Sequence, residues 1–454
     1  WHVDLRPSDV NNLPHGACNH GLLNAADQCD ATDGCSYPQD LYYDSLVRLH
    51  TLSWPPPPGS WYLDYAGEHG PPNRLYVADD PKGHLVELGV TPAAIRSAAQ
   101  NVTVDNLAIT KFAAPNQDGA VEIRGSNWLV RHLLVYRNHG GGIEIVPPRP
   151  VLPNGNVVDG NDLAENGEEG YGEGRSFNDV FSNNVSEFNN IDGVCYGFEG
   201  GCGKVVGWGT QLTGNICRWN NGTGLWTDAD ARRDTYDGNS SYGNIGEGLR
   251  YEESHSGRII KNVIGPDARP DNVQCVAAHV PKLLDGIDAC TGFQTGTASY
   301  HCYDVEIAIV NSDDTLVGGE HSGNKVTTYC GGIVINENRP RASVNDKVLF
   351  NDVTFHRTRA NSDPLGGTSA GGILGFGMFT AGSGNVFDYN RYLVDEPPSK
   401  AARHWRWMSG SSLSRLDWSA WRALGMDTHG WLGTGNFPKT SEPTHSHPKH
   451  DKHE

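Results

Sequence analysis

Two stretches of this chain repeat one another 24 residues apart: Gly214, Asn215, Asn220, Gly224, Leu225 and Asp228 recur as Gly238, Asn239, Asn244, Gly248, Leu249 and Glu252. A fixed period of this length marks stacked coils, because each repeat is one supersecondary unit that buries its apolar face only against its neighbours. It is expected to set Asp228 directly above or below Glu252, so that two acidic groups share one site. The pattern extends to other places where an Asn precedes a small and an apolar residue by four positions. Asn116 precedes Ala120, Asn138 precedes Gly142, Asn189 precedes Gly193, and Asn220 and Asn244 follow, at spacings of 22, 51, 31 and 24.

Short apolar or alternating runs at 102–109, 128–135 and 348–355, bounded by Gly, Asn and Asp, carry strand and turn chemistry. Closely spaced strands without helices between them predict an all-β fold, a right-handed parallel β-helix solenoid. An antiparallel sandwich competes but leaves the in-register Asn and Gly unexplained. The expected organisation is an irregular Cys-containing segment at 1–45, a small N-terminal β cap at 46–100, the parallel β-helix at 101–392, a Trp-rich C-terminal cap at 393–435 and a polar, His-rich tail at 436–454. The β-helix is expected to be interrupted by a Gly/Glu-rich insert at 150–176 and by a second segment at 266–300. Caps are needed because the bare end of a stack is an unpaired edge. The tail alone is expected to be disordered, with imidazoles that offer a hold to a metal or a neighbouring chain.

The ten cysteines form an even count without regular metal spacing. This predicts disulfides in an oxidising compartment, with Cys195, Cys202 and Cys217, Cys275 and Cys290, and Cys302 and Cys330 near enough to pair locally. A start at Trp1 reads as the product of processing, so a secreted, extracellular location is expected. Hydrophobic residues make up only 37% of the chain and leave no membrane span. The net charge of −19 argues against nucleic acid and, unless a divalent cation intervenes, against polyanionic glycans. Four Asn-X-Ser/Thr sites occur. Asn184 and Asn239 fall on a stacked position where an inward amide excludes a glycan, which leaves Asn101 and Asn221 as the glycosylation candidates.

Gly224, Leu225, Trp226 and Asp228, then Gly248, Leu249, Glu252 and Ser254, with Phe198, Glu199, Gly200, Gly201 and Lys204 one coil earlier, resemble secreted right-handed parallel β-helix repeat proteins of the pectate-lyase-like superfamily. Trp61, Leu63 and Asp64 near one end and Trp421, Gly425, Asp427 and Gly430 near the other resemble the flanking elements of those proteins. The likeness covers most of residues 40–430 and omits the Cys-rich N-terminus and the His-rich tail. It implies the fold and, for function, a group that spans polysaccharide lyases, glycosidases, epimerases and members without assigned activity, with polysaccharide as partner.

Strands stack roughly 4.8 Å apart, which brings Asp228 and Glu252 near the roughly 5–5.5 Å carboxyl separation of a retaining glycosidase. On this reading Asp228 is the nucleophile and Glu252 the acid/base, kept protonated by its like-charged neighbour. Trp226 and His255 are expected to bind substrate, Glu199 and Lys204 border the site, and no cofactor is required. In a lyase version Lys204 abstracts the proton beside a uronate while Ca²⁺ sits on Asp228, Glu252 and Glu199. A plainer reading has Ca²⁺ or Arg250 neutralise the pair without chemistry, and Glu122 and Glu144, 22 residues apart, form a second acidic pair. The alternative to an enzyme is a structural glycoprotein, a filament or surface-layer subunit that self-associates through its termini.

Overall fold

The computed structural model describes residues 1–10, 37–50, 53–148, 150, 152–194, 199–266, 305–328, 331–337, 342–356, 369–375, 383–395, 403–409 and 412–438. Three long sheets of twelve, ten and eleven strands run side by side, and along each the chain returns once per coil. One coil shows the pattern: Glu169–Glu173 lies in the first sheet, Val180–Ser182 in the second and Val185–Glu187 in the third, before Gly201–Val205 rejoins the first. This is a right-handed parallel β-helix. A six-stranded sheet from His2–Asp4 to Val86–Leu88 precedes it, and the six-residue helix Trp418–Ala423 packs on its last coils.

The interior follows from register. Val121, Ile143, Tyr171, Gly203, Leu225, Leu249, Ile307 and Ile333 are aligned coil upon coil, so one apolar residue per coil lands on the next. The turns explain the Asn and Gly. In one stacked turn Asn127, Gly155, Asn178 and Gly209 have φ of 57°, 67°, 54° and 78°. This is the left-handed region, which Gly and Asn enter at least cost.

At two corners buried asparagines form ladders. In one, Asn161, Asn184, Asn215, Asn239, Asn262, Asn324, Asn351 and Asn390 each donate Nδ2 to the next member at 2.8–3.0 Å, and Asp427 receives the last bond. In the other, Asn138, Asn166, Asn189, Asn220 and Asn244 are joined at 2.9–3.1 Å. The sequence reading erred here in two respects. Asn116 is not a rung: the Asn138 Oδ1 accepts from the Phe112 amide at 3.1 Å. The 51-residue gap conceals Asn166, which divides it into steps of 28 and 23. For the same reason 150–176 is not an insert: it contains Val157–Asp159, Asp162–Ala164 and Glu169–Glu173, one complete coil.

Cys202 and Cys217 form a disulfide with a Cα separation of 5.6 Å. The other eight cysteines, the 267–304 segment and residues 439–454 of the tail lie outside the described residues. Asn101 is exposed at a turn. Asn221 is 9% exposed and its Nδ2 donates to the Asn190 carbonyl at 3.1 Å, so the folded chain has no room for a glycan there, contrary to expectation. Among the described residues no helix is long and apolar enough to cross a membrane.

Candidate active site

The outward row of the twelve-stranded sheet reads Arg96, Glu122, Glu144, Gly172, Lys204, Trp226, Arg250 and Ala308. Gly172 leaves a gap in this row between an acid and a base. The Glu144 carboxyl takes up the space above Gly172, where a Cβ would stand 2.0 Å from its Oε2. Beside it lies a groove of about 260 Å³, lined by Gln117, Glu144, Glu169, Glu173, Gly174, Glu199 and Lys204, with Val146 and Val206 among its apolar walls.

The acids of this face differ in what neutralises them. Glu122 has two arginines, Arg96 and Arg124, the latter at 2.6 Å. Glu144, stacked on it, has an Oε1 that is sealed from solvent without a hydrogen bond. Burial, then the charges of Glu168 and Glu199, pushes its pKa well above the ordinary carboxylate value. Burial and the charge of Glu199 likewise push Glu168 up to about 8, although its Oε2 accepts from the Gln117 amide at 2.7 Å. Glu169 is driven well up by burial and by Glu144, and its Oε2 accepts from the Lys204 amide at 2.8 Å. A cluster of buried carboxyls with one lysine therefore retains protons that solvent-exposed acids lose.

Lys204 is the hub. Its Nζ lies 2.9 Å from Asp228 Oδ2, 3.5 Å from Glu199 Oε2 and 4.2 Å from the centre of the Trp226 ring. Burial pulls the Lys204 pKa down, but the charges of Glu199 and Asp228 outweigh it and the net shift is upward. Burial raises the pKa of Glu199, Lys204 opposes that, and Glu199 Oε1 accepts from Gln117 Nε2 at 2.7 Å.

Of the residues singled out in the sequence, Lys204, Glu199, Asp228 and Trp226 are thus brought together. The 24-residue register holds through Thr227 and Tyr251, one position before Asp228 and Glu252. The two carboxylates nevertheless take different cations, for Glu252 Oε1 accepts from Arg250 Nη2 at 2.7 Å. Trp226 is 2% exposed, with Lys204 and Arg250 against its ring, so it is a buried cation–π partner rather than an open platform for a sugar. His255 lies at the next corner, between Asp230 at 2.9 Å and Asp313, away from the Lys204 cluster. Among the described residues only Asp40, His139 and Asp192 bring three ligand atoms within 4.8 Å of one another, so Asp228, Glu252 and Glu199 are not gathered as a Ca²⁺ set. Sequence reasoning missed Gln117, Glu168 and Glu169. The signal for the two glutamates is the Gly/Glu-rich composition at 165–174, and Gln117 carries none.

The sequence matches no protein-family model and no curated protein. Among solved structures the fold is similar to XylC in its complex with xylose, with a TM-score of 0.53 and 11% identity over 87% of this chain and 70% of that one. The A-module of the mannuronan C-5 epimerase AlgE6 from Azotobacter vinelandii gives 0.41 and 10% over 75% and 76%. At such identities the likeness to XylC establishes the parallel β-helix and leaves the chemistry to the residues of the groove.

Proposed function

We propose that this chain is a carbohydrate-active enzyme, a retaining glycoside hydrolase that cleaves a neutral glycan at the groove lined by Glu199 and Lys204, with Glu199 as acid/base and the neighbouring Asp228 as nucleophile. The observation that carries this reading is the shared ammonium. With Lys204 Nζ at 2.9 and 3.5 Å, the two carboxylate oxygens are separated by at most the sum of those distances. That leaves them within reach of the roughly 5–5.5 Å spacing of a retaining pair, and the product anomer separates retention from inversion.

Glu199, with its pKa raised by burial and held by Gln117, donates its proton to the leaving glycosidic oxygen. An Asp228 oxygen forms a bond to the anomeric carbon as the bond to the leaving oxygen breaks. Water, giving its proton to Glu199, then attacks the anomeric carbon and releases Asp228. Lys204 positions both carboxylates and keeps its proton, so it is unsuited to act as the base of a lyase. The buried carboxyls Glu144, Glu168, Glu169 and Glu199 retain protons, and the cluster's one lysine is already engaged by Glu199 and Asp228, which suits a neutral sugar better than a uronate; the xylose held by XylC is one such sugar. The Cys202–Cys217 disulfide supports an extracellular setting.

The test is cleavage of neutral and uronate polysaccharides by the full chain, with the first product anomer read by proton NMR. The account expects a neutral glycan cleaved with retention, insensitivity to EDTA, and losses of about 100-fold or more in Glu199→Gln and Asp228→Asn. An inverted product, or an unsaturated uronate product abolished by EDTA, would overturn it.

A further inference from the structure

Three segments far apart in sequence meet below the N-terminal sheet. Asp40 precedes the strand Leu41–Tyr43, His139 precedes Gly141–Ile145, and Asp192 lies on the connection that leads to Glu199. The His139 imidazole is 2% exposed and the Asp40 and Asp192 side chains 7% and 11%. His139 Nδ1 lies 3.3 Å from Asp40 Oδ1 and 3.1 Å from Asp192 Oδ2. We propose that Asp40, His139 and Asp192 are the protein ligands of a buried divalent transition-metal site, of the Zn²⁺ type, that clamps the N-terminal sheet to the coil and the connection that build the groove.

Three observations carry this. First, one ring nitrogen faces two carboxylate oxygens, and a single N–H cannot donate linearly to both. Asp192 Oδ2 is sealed from solvent and makes no hydrogen bond of acceptable geometry. Second, the three ligand atoms lie within 4.8 Å of one another, and the two distances from His139 match the roughly 3.3 Å between ligands about 2.0 Å from a tetrahedral metal. Third, the charge balances. An imidazolium between two carboxylates leaves a buried net negative charge, whereas a divalent ion with neutral His139 leaves none. Of the described neighbours, Arg137 is committed to Glu165 at 2.6 Å, and Tyr42 donates its hydroxyl to the Arg137 carbonyl at 2.9 Å. The imidazole favours a zinc-like ion over Ca²⁺, and three protein ligands leave a fourth position for water.

The experiment uses the full chain stripped with chelator, then dialysed against ZnCl₂, with zinc counted by plasma mass spectrometry and melting followed with and without zinc. Wild type is expected to hold one zinc more than Asp192→Asn, which keeps every histidine of the tail, and zinc is expected to raise the Tm of wild type alone by several degrees. Equal zinc content and equal melting response in the two proteins would overturn the site and leave an ion-paired lock. Should Asp192→Asn fail to fold, zinc-edge anomalous scattering from crystals of zinc-loaded wild type decides. A peak between the three side chains supports the site, and its absence refutes it.

Discussion

At the scale of single residues the account rests on Lys204, because its ammonium decides which carboxylates act together. The 24-residue echo pointed to Asp228 and the neighbouring coil to Lys204 and Glu199, so most of the hub was legible. The partner was not. A period fixes which backbone positions stack, but side-chain pairing also depends on the cation each carboxylate can reach, and Arg250 takes Glu252. Glu252→Gln is therefore expected to keep activity within a few-fold, while Glu199→Gln loses about 100-fold or more. Initial rates on one cleavable glycan separate the two. Glu168 gives a second prediction. Its folded pKa of about 8 lies above the ordinary value of 4.5, so the folded chain binds a proton that the unfolded chain releases between those values. Its contribution to stability is full below about pH 4.5, falls as pH rises and is gone past about pH 8. Melting temperature should decline from pH 5 to 8, and Glu168→Gln should flatten the decline. An unchanged slope would place the retained proton elsewhere.

At the scale of elements, the asparagine ladders define each coil. The ladders were legible wherever the spacing stayed near two dozen. Asn166 was hidden because three-residue strands such as Asp162–Ala164 are too short to show periodicity, and Asn116 was included because spacing alone cannot tell a buried rung from a loop. Asn239 accepts from the Asn215 amide and side chain at 2.9 and 3.0 Å and donates to Asn262 and to the Leu212 carbonyl at 3.0 and 2.8 Å. Truncation to Ala strands buried partners on both neighbouring coils, so a loss of about 3 kcal/mol is expected in urea unfolding. A loss near zero would mean that the ladder is ornamental. Val206 plays the opposite part: it is partly exposed in the wall of the groove, so Val206→Trp should narrow the groove and lower activity by about 100-fold or more, with melting changed little.

At the scale of the molecule, the solenoid was readable from periodicity, because a stacked fold writes its register into the sequence, whereas the N-terminal sheet takes in His2–Asp4 and Leu41–Tyr43 from the stretch 1–45 that the sequence presents as irregular. The groove was less readable. It is walled by acids whose chemistry depends on burial, which composition does not record. The glycosylation reading belongs to this scale as well. Expressed in a secretory host, the chain should carry a glycan at Asn101 and none at Asn184, Asn221 or Asn239, as peptide mapping will show; high occupancy at Asn221 would contradict the buried amide seen here.

The most direct test of the central claim is glycan-array binding by the full chain carrying Glu199→Gln, beside the same chain with Val206→Trp added. The account predicts selective binding to a neutral glycan by the first protein and loss of that binding in the second. Binding confined to uronates, binding to no neutral glycan, or binding that survives Val206→Trp would contradict it.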